Sequence, residues 1–313
     1  FDNSQSYSSL ALRLKILDEN FEQCSNKLFH LAVSPSYYET ILEHLYNSGL
    51  TVPCGGDEGW TRILVEKPFG NDIETAKKLD KKLGQLFDEE QIFRIDHYLA
   101  KEALQNILAF RFNNSLFEPL WNSEHIDAIH IKLMEKDGID TRGGFYDDVG
   151  ALKDVGQNHI LQMLALVSME RPKVFDAKSI RKERARVLSL IKQFSTKDIK
   201  KLAFRGQYIG YLDEKGVKRN SQTETYFRLE TYIENKRWND EPFYLESGKS
   251  LSESKSEIDV YFKNTVDPEK QNILTFRIQP DEGIKIRFFV KTPGFDNAIE
   301  QKILKFRYSE HST

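Results

Sequence analysis

Between Leu28 and Ile95 the sequence alternates short apolar runs with helical stripes, and that alternation constrains the fold more than any other feature. Leu28-Phe29-His30-Leu31-Ala32-Val33 reads as a buried parallel strand stopped by Ser34-Pro35. Tyr37 to Leu50 reads as a helix with Ile41, Leu42, Leu45 and Tyr46 inward, and Arg62 to Val65 as the next strand. Asn71-Asp72 caps a helix to Phe87 whose stripe is Ile73, Ala76, Leu79, Leu83 and Leu86; Gln91 to Ile95 is a third strand. This order builds a doubly wound parallel α/β sheet of the Rossmann-like kind. The sheet is expected to be partial. No Gly-x-Gly-x-x-Gly turn precedes Leu28 and the first glycine is Gly49, so the chain is expected to be a fragment at both ends, with the coenzyme fingerprint outside it. Residues 1–26 suggest a helix whose Leu10, Leu12, Leu14, Ile16 and Leu17 pack on something upstream or beside it.

Past Glu102 the pattern changes. Ile126 to Met134 alternates as a strand, Asp148 to Met169 reads as one long apolar helix, and Lys178 to Phe194 as a second helix with a basic face. Strands follow at Thr225–Glu234, Glu257–Lys263, Ile273–Gln279, Ile284–Lys291 and Ile303–Tyr308. Without further β-α alternation, these imply a larger α+β domain with an antiparallel sheet. The division is therefore 1–95, part of a Rossmann-like α/β domain, and 96–313, the α+β domain.

The two halves meet at Phe93 to Glu102, where a carboxylate, an imidazole, a phenol and an ammonium stand at the mouth of a helix. Leu104, Ile107 and Leu108 share one face of that helix, with Glu102 and Gln105 off it. Unpaired N–H groups and the positive end of the macrodipole make His97, Tyr98 and Lys101 a seat for a phosphate. On the residues alone, Asp96 capping the helix beside a solvated Lys101 is an equal reading.

Composition excludes other classes. A net charge of -3 over 313 residues argues against a general polyanion binder, and Glu183 interrupts the basic face of Lys178, Arg181, Lys182, Arg184 and Arg186, so no nucleic-acid partner is expected. No stretch approaches the roughly 20 apolar residues of a membrane span and none reads as a signal peptide, so no membrane partner is expected. Cys24 and Cys54 lack metal-type spacing and read as free thiols of a reducing, cytoplasmic compartment. No short His/Asp/Glu ligand spacing appears either, so no metal site is expected.

Arg94-Ile95-Asp96-His97-Tyr98-Leu99-Ala100-Lys101-Glu102 resembles the substrate-site signature of the glucose-6-phosphate dehydrogenase family, with Ala100 where that family has glycine. Val65-Glu66-Lys67-Pro68-Phe69-Gly70, Arg142-Gly143-Gly144-Phe145, Gln157-Asn158-His159 and Arg277-Ile278-Gln279-Pro280 resemble its other motifs in the same order, so the resemblance runs from about Leu28 to Tyr308.

The resemblance implies NADP-linked oxidation of glucose 6-phosphate to 6-phosphogluconolactone. His159, which on an apolar helix would otherwise read as a hydrogen-bonded core histidine, resembles the general base, and Asp96 the aspartate that orients it. His97, Tyr98 and Lys101 resemble the phosphate group's partners; Glu135 and Asp154 the carboxylates that receive sugar hydroxyls. Asp154 lies five residues before His159, about 140° round an ideal α-helix, so the two are expected on different faces. Lys67 resembles a lysine between cofactor and sugar, followed by a proline expected in cis, and Tyr38 a residue lining the cofactor side. Lys249 and Gln279 resemble substrate contacts of the later sheet; the second basic contact falls at Ser254, leaving Lys255 to reach across or the contact to be lost. Arg277 and Lys255 match a structural NADP site of some members, but Glu246 and Asp259 replace arginines, so that site is not expected. A homodimer or dimer of dimers is implied. The alternatives are a non-catalytic sugar-phosphate-binding remnant or oligomer partner, and a dehydrogenase of another sugar phosphate.

Overall fold

The computed structural model describes residues 1–53, 59–67, 69–70 and 72–308. The expectations on Cys54, the Lys67–Pro68 bond and Asn71 lie outside the described residues. The chain forms two compact units, Phe1–Asp96 and His97–Thr313.

In the first unit, strands β1 (Lys27–Leu31), β2 (Thr61–Val65) and β3 (Ile92–Arg94) form a parallel sheet in that order. Helix α2 (Tyr38–Asn47) sets Tyr38, Ile41, Leu42 and Leu45 against Ile63 and Val65. That i, i+3, i+4, i+7 stripe starts at Tyr38, which leaves Tyr46 at its edge, 48% exposed rather than inward. Asp72 accepts from the Thr75 N–H at 2.8 Å and returns its own N–H to the Thr75 hydroxyl, a capping box that starts α3 (Ile73–Leu86). Ile73, at the first helical position, points back off the sheet and is exposed; Leu83 carries the buried contact. Leu28 is exposed too, so β1 is half-buried rather than fully buried. Helix α1 (Ser4–Asn20) buries no residue, and meets the core through Tyr7, Ala11 and Leu14 while Leu10, Leu12, Ile16 and Leu17 face outward.

The second unit is built on an eight-stranded sheet in the order β11-β10-β9-β8-β4-β7-β6-β5. Its strands are β4 (Ile126–Met134), β5 (Ala203–Gly206), β6 (Tyr226–Thr231), β7 (Phe243–Gly248), β8 (Lys255–Phe262), β9 (Ile273–Gln279), β10 (Gly283–Lys291) and β11 (Ile299–Arg307). The sheet is mixed and not wholly antiparallel, because β7 returns beside β4 in parallel register, Ile129 opposite Phe243 and Met134 opposite Gly248. Ile129, Ile131 and Leu133 of β4 face the helical layer; His130 and Lys132 face the other side.

That layer holds α4 (Glu102–Asn113), α5 (Gly143–Tyr146), a π-helix (Leu152–Ile160) that runs into α6 (Leu161–Ser168), α7 (Ala177–Ser189) and α8 (Thr196–Leu202). Leu104, Ile107 and Leu108 of α4 are buried as their spacing predicts. Helix α7 stops at Ser189 and does not reach Phe194. There Ile191 bridges to Ile233, with the Lys192 N–H on the Tyr232 carbonyl at 2.9 Å and the Glu234 N–H on that of Leu190 at 2.8 Å.

A helix end leaves carbonyls without partners, and the end of α6 is buried. Side chains supply the donors. Arg111 donates to the carbonyls of Leu166 (3.0 Å) and Met169 (2.9 Å), the Trp121 indole to Val167 (2.7 Å) and the Trp238 indole to Ser168 (2.7 Å). Burial lowers the Arg111 guanidinium to about 10, with Glu118 at 3.3 Å opposing that shift, so it stays charged at neutral pH. Arg111→Leu should therefore cost about 3–5 kcal/mol and Trp238→Phe about 1–3 kcal/mol, read from urea unfolding. An Arg111→Leu protein within 1 kcal/mol of the parent, by the ~0.5–1.5 kcal/mol worth of one ordinary hydrogen bond, would contradict this role.

Candidate active site

The turn before α4 is closed by the Ala100 N–H on the His97 carbonyl (3.3 Å) and the Lys101 N–H on that of Tyr98 (3.0 Å). Lys101 is the N-cap residue, without a side-chain cap bond of its own. The turn buries Tyr98 and leaves His97 exposed. The Lys101 ammonium stands 4.5 Å from the centre of the Tyr98 ring, and burial lowers its pKa while Glu282 opposes the shift.

His159 is 3% exposed. Its ring is stacked on Tyr98 with centroids 4.2 Å apart, and meets the ring of His97 edge-on at 4.8 Å. The imidazole is thereby held on two sides by residues of the signature.

The helix that carries His159 departs from expectation. Residues 152–160 are wound as a π-helix, and its last i→i−5 bond runs from the Leu161 N–H to the Gly156 carbonyl. An i→i−5 register winds a wider turn and brings residues five apart much closer in phase, so Asp154 and His159 come to one side of the helix instead of standing about 140° apart as in an α-helix. The Asn158 side-chain amide donates to the carbonyls of Lys153 and Asp154, both at 3.2 Å. Gly156 lets this segment press on β6, since a Cβ there would come within 2.7 Å of Phe227. Glu224 anchors the segment's start, its carbonyl taking the Ala151 N–H at 2.9 Å and its carboxylate the Leu152 N–H at 3.0 Å.

Glu135 follows β4 and Lys249 follows β7, so the parallel pairing brings them side by side; the Glu135 N–H also reaches the Gly248 carbonyl at 2.9 Å. Their side chains form an ion pair in which Lys249 is buried. The Lys249 ammonium lies 5.6 Å from the ring of Tyr146, a buried tyrosine whose hydroxyl makes no hydrogen bond among the described residues. Burial raises the Tyr146 phenol far above its usual range, reinforced by the nearby carboxylates of Asp154, Glu224 and Glu135.

The Arg142-Gly143-Gly144-Phe145 motif serves this arrangement. A Cβ on Gly143 would collide with the Lys215 carbonyl, so the glycine allows the loop that contains Lys215 to close in. Asp147 then ties the loop down. It accepts from Tyr211 (2.8 Å), from the Lys218 N–H (3.2 Å) and from Ser221; burial raises its pKa, but those bonds outweigh it and hold the carboxyl below its usual range.

The second unit thus gathers His97, Tyr98 and His159 by ring contacts, Asp154 with His159 by helix phase, and Glu135 with Lys249 by strand pairing. Lys255 is not among them. Its ammonium is held by Glu253 (2.6 Å) and Glu257 (3.4 Å), on the sheet side shared with Lys132. Gln279 ends β9, exposed. In the first unit, Lys67 lies two residues beyond β2, and Asp96 ends the unit. Tyr38 is core rather than surface, its hydroxyl donating to the Glu66 carbonyl at 3.1 Å. Sequence spacing alone does not mark Tyr146, Asn158 or Glu224; Tyr146 adjoins the Arg142–Phe145 motif and Asn158 sits in the Gln157–His159 motif, which is the signal that points to them.

Residues 1–106 match the model of the glucose-6-phosphate dehydrogenase NAD binding domain, and 108–313 that of the C-terminal domain. The chain is 44% identical to glucose-6-phosphate 1-dehydrogenase of Aggregatibacter actinomycetemcomitans, over 97% of this chain and 64% of the relative. It is 42% identical to that of Borreliella burgdorferi, over 98% and 66%. Among solved structures, glucose-6-phosphate dehydrogenase in complex with its substrate glucose-6-phosphate superposes with a TM-score of 0.90 at 35% identity, over 99% of this chain and 65% of that one. The Mycobacterium avium glucose-6-phosphate 1-dehydrogenase gives 0.84 at 33%, over 98% and 65%. The chain spans 64% and 66% of the two curated relatives. With these two models matching residues 1–106 and 108–313, the chain belongs to the glucose-6-phosphate dehydrogenase family.

Proposed function

We propose that this chain supplies the sugar-phosphate site for oxidation of D-glucose 6-phosphate to 6-phospho-D-glucono-1,5-lactone with NADP as hydride acceptor, the first step of the oxidative pentose phosphate pathway. The observation that carries this reading is His159, buried, stacked on Tyr98 and phased with Asp154 beside the anion-ready turn of His97 and Lys101. A relative solved with glucose 6-phosphate, 35% identical over 99% of the chain, supports the substrate.

The His159 imidazole takes the proton of the C1 hydroxyl as the C1 hydride departs, and the C1–O bond becomes the lactone carbonyl. Asp96 keeps the orienting role that the family resemblance gives it. Glu135 and Asp154 accept from sugar hydroxyls, Lys249 donates to one and Gln279 contacts the sugar, and the Glu135–Lys249 ion pair keeps both charged groups compensated until a hydroxyl arrives. Lys255 is left out because Glu253 and Glu257 already hold it. NADP, when bound, accepts the hydride. On the protein side, the parallel β1-β2-β3 sheet fits such a ligand at the carboxyl ends of its strands, where Lys67 follows β2, and Tyr38 acts through the Glu66 backbone. Residues 1–95 are thus the coenzyme side and 96–313 the substrate and dimerisation side. The polar outer face of the large sheet, with His130 between Tyr244 and Tyr261 and Lys132 on Asp259, supports a homodimer. No helix among the described residues is long and apolar enough to cross a membrane, and a cytoplasmic location remains part of the proposal.

In a chain extended to the relatives' full length, His159→Asn should lower kcat by about 10²- to 10⁴-fold while glucose 6-phosphate binding changes little, because only proton transfer loses its acceptor. Steady-state NADPH formation and calorimetry measure the two terms; near-normal turnover would sink the assignment.

Lys101→Ala should raise KM for glucose 6-phosphate roughly 10- to 100-fold and leave the weak activity on glucose almost unchanged, since one or two charge-assisted bonds to the phosphate are lost. The pH sign follows from the lowered Lys101 pKa: as pH rises the ammonium loses its proton earlier than an ordinary lysine, so affinity for the phosphate dianion falls on the alkaline side. Calorimetric titrations across alkaline pH should reveal a fall that Lys101→Ala abolishes. Equal damage to both substrates would make the cluster structural.

A further inference from the structure

We propose that Asn158 is a positioning residue whose side-chain amide holds the π-helical register of residues 152–160 and so keeps Asp154 and His159 on one face. This rests on the reading of His159 as base and Asp154 as a sugar-hydroxyl acceptor. Nothing in the chemistry of the reaction itself requires an asparagine at 158, and the geometry supplies the reason for one.

In an α-helix the Asp154 carbonyl would receive the Asn158 N–H, and the Lys153 carbonyl the Gln157 N–H. In the i→i−5 register each carbonyl passes to the next residue along, so Lys153 receives Asn158 and Asp154 receives His159. These are the two carbonyls that the Asn158 amide reaches, both at 3.2 Å. A carbonyl oxygen can accept two hydrogen bonds, so the side chain adds a second donor to each without displacing the first. Back-bonding from a polar side chain to carbonyls of the preceding turn is known to bend helices; a donor that spans i−4 and i−5 together favours the wider turn. Gly156 provides the room, since any side chain there would meet Phe227 of β6. The consequence falls on phase: without the amide, the α register is free to return and carries Asp154 about 140° away from His159.

Two variants remove the donor. Asn158→Asp keeps the shape and turns an oxygen toward the carbonyls; Asn158→Leu keeps the volume. Asn158→Thr restores one back-bond, to the i−4 carbonyl. Crystal structures of each variant read the register, and calorimetry on the same chain reads glucose 6-phosphate affinity. Asp and Leu at 158 should give i→i−4 bonds across 152–160 and at least about tenfold weaker binding, the equivalent of about 1.4 kcal/mol, with melting temperature unchanged or raised; Thr should retain affinity within about threefold by keeping one of the two bonds. An intact i→i−5 register in Asn158→Asp or Asn158→Leu would overturn the proposal, as would a changed register with unchanged affinity. If the parent chain binds no glucose 6-phosphate, the substrate reading fails, while the register comparison still decides whether Asn158 sets the helix phase.

Discussion

A buried helix can present a histidine at a fixed angle only if its two ends are held, and the segment that carries His159 is held at both. At the start, Glu224 accepts from the N–H groups of Ala151 and Leu152; at the end, Arg111, Trp121 and Trp238 donate to four consecutive carbonyls, Leu166 to Met169. These anchors come from α4, from the approach to β4 and from the chain before β7, so one buried helix end ties distant parts of the second unit together. An unmet carbonyl in that position costs more than an ordinary hydrogen bond gains, which makes the anchoring cooperative. With both ends fixed, the π-helical turn between them sets where His159 points.

The electrostatics follow the same logic of compensation. Lys249 is buried and would be costly alone, but Glu135 lies beside it at the end of the neighbouring parallel strand. Lys101 is partly desolvated over the Tyr98 ring, and its pKa is lowered accordingly. A phosphate dianion would reverse that shift, so the feature that makes Lys101 uncomfortable in the free protein favours an anionic ligand. Tyr146, with a buried hydroxyl that has no hydrogen-bond partner among the described residues and three carboxylates nearby, belongs to the same environment.

Much of this was legible in the sequence where local period decides structure. The β1-α2-β2-α3-β3 alternation, the Asp72 cap and the extent of β4 follow from apolar spacing and capping chemistry. Features set by distant contacts were not legible. Strand β7 has only six residues, Phe243-Tyr244-Leu245-Glu246-Ser247-Gly248, and its parallel partner β4 lies more than a hundred residues earlier, so neither its existence nor the Glu135–Lys249 pair is written locally. Helix α7 ends where Ile191 finds Ile233, a tertiary event. The phase of Asp154 and His159 is not legible because apolar spacing reads as an ideal α-helix, and Asn158 is visible as a residue but not as a donor to two carbonyls. Whether Lys255 reaches across for the second basic contact or that contact is lost is not written in the sequence, because its pairing with Glu253 and Glu257 depends on how β8 lies.

The central claim is that the turn of His97 to Lys101 and the helix of Asp154 and His159 form the two ends of one sugar-phosphate site. A crystal structure of the chain soaked with glucose 6-phosphate tests it most directly. The account predicts phosphate oxygens within hydrogen-bond reach, ~3 Å, of the Lys101 ammonium and a His97 ring nitrogen, with the C1 hydroxyl at the same distance from a His159 ring nitrogen. Phosphate density away from Lys101, or a sugar bound with C1 turned from His159, would contradict it.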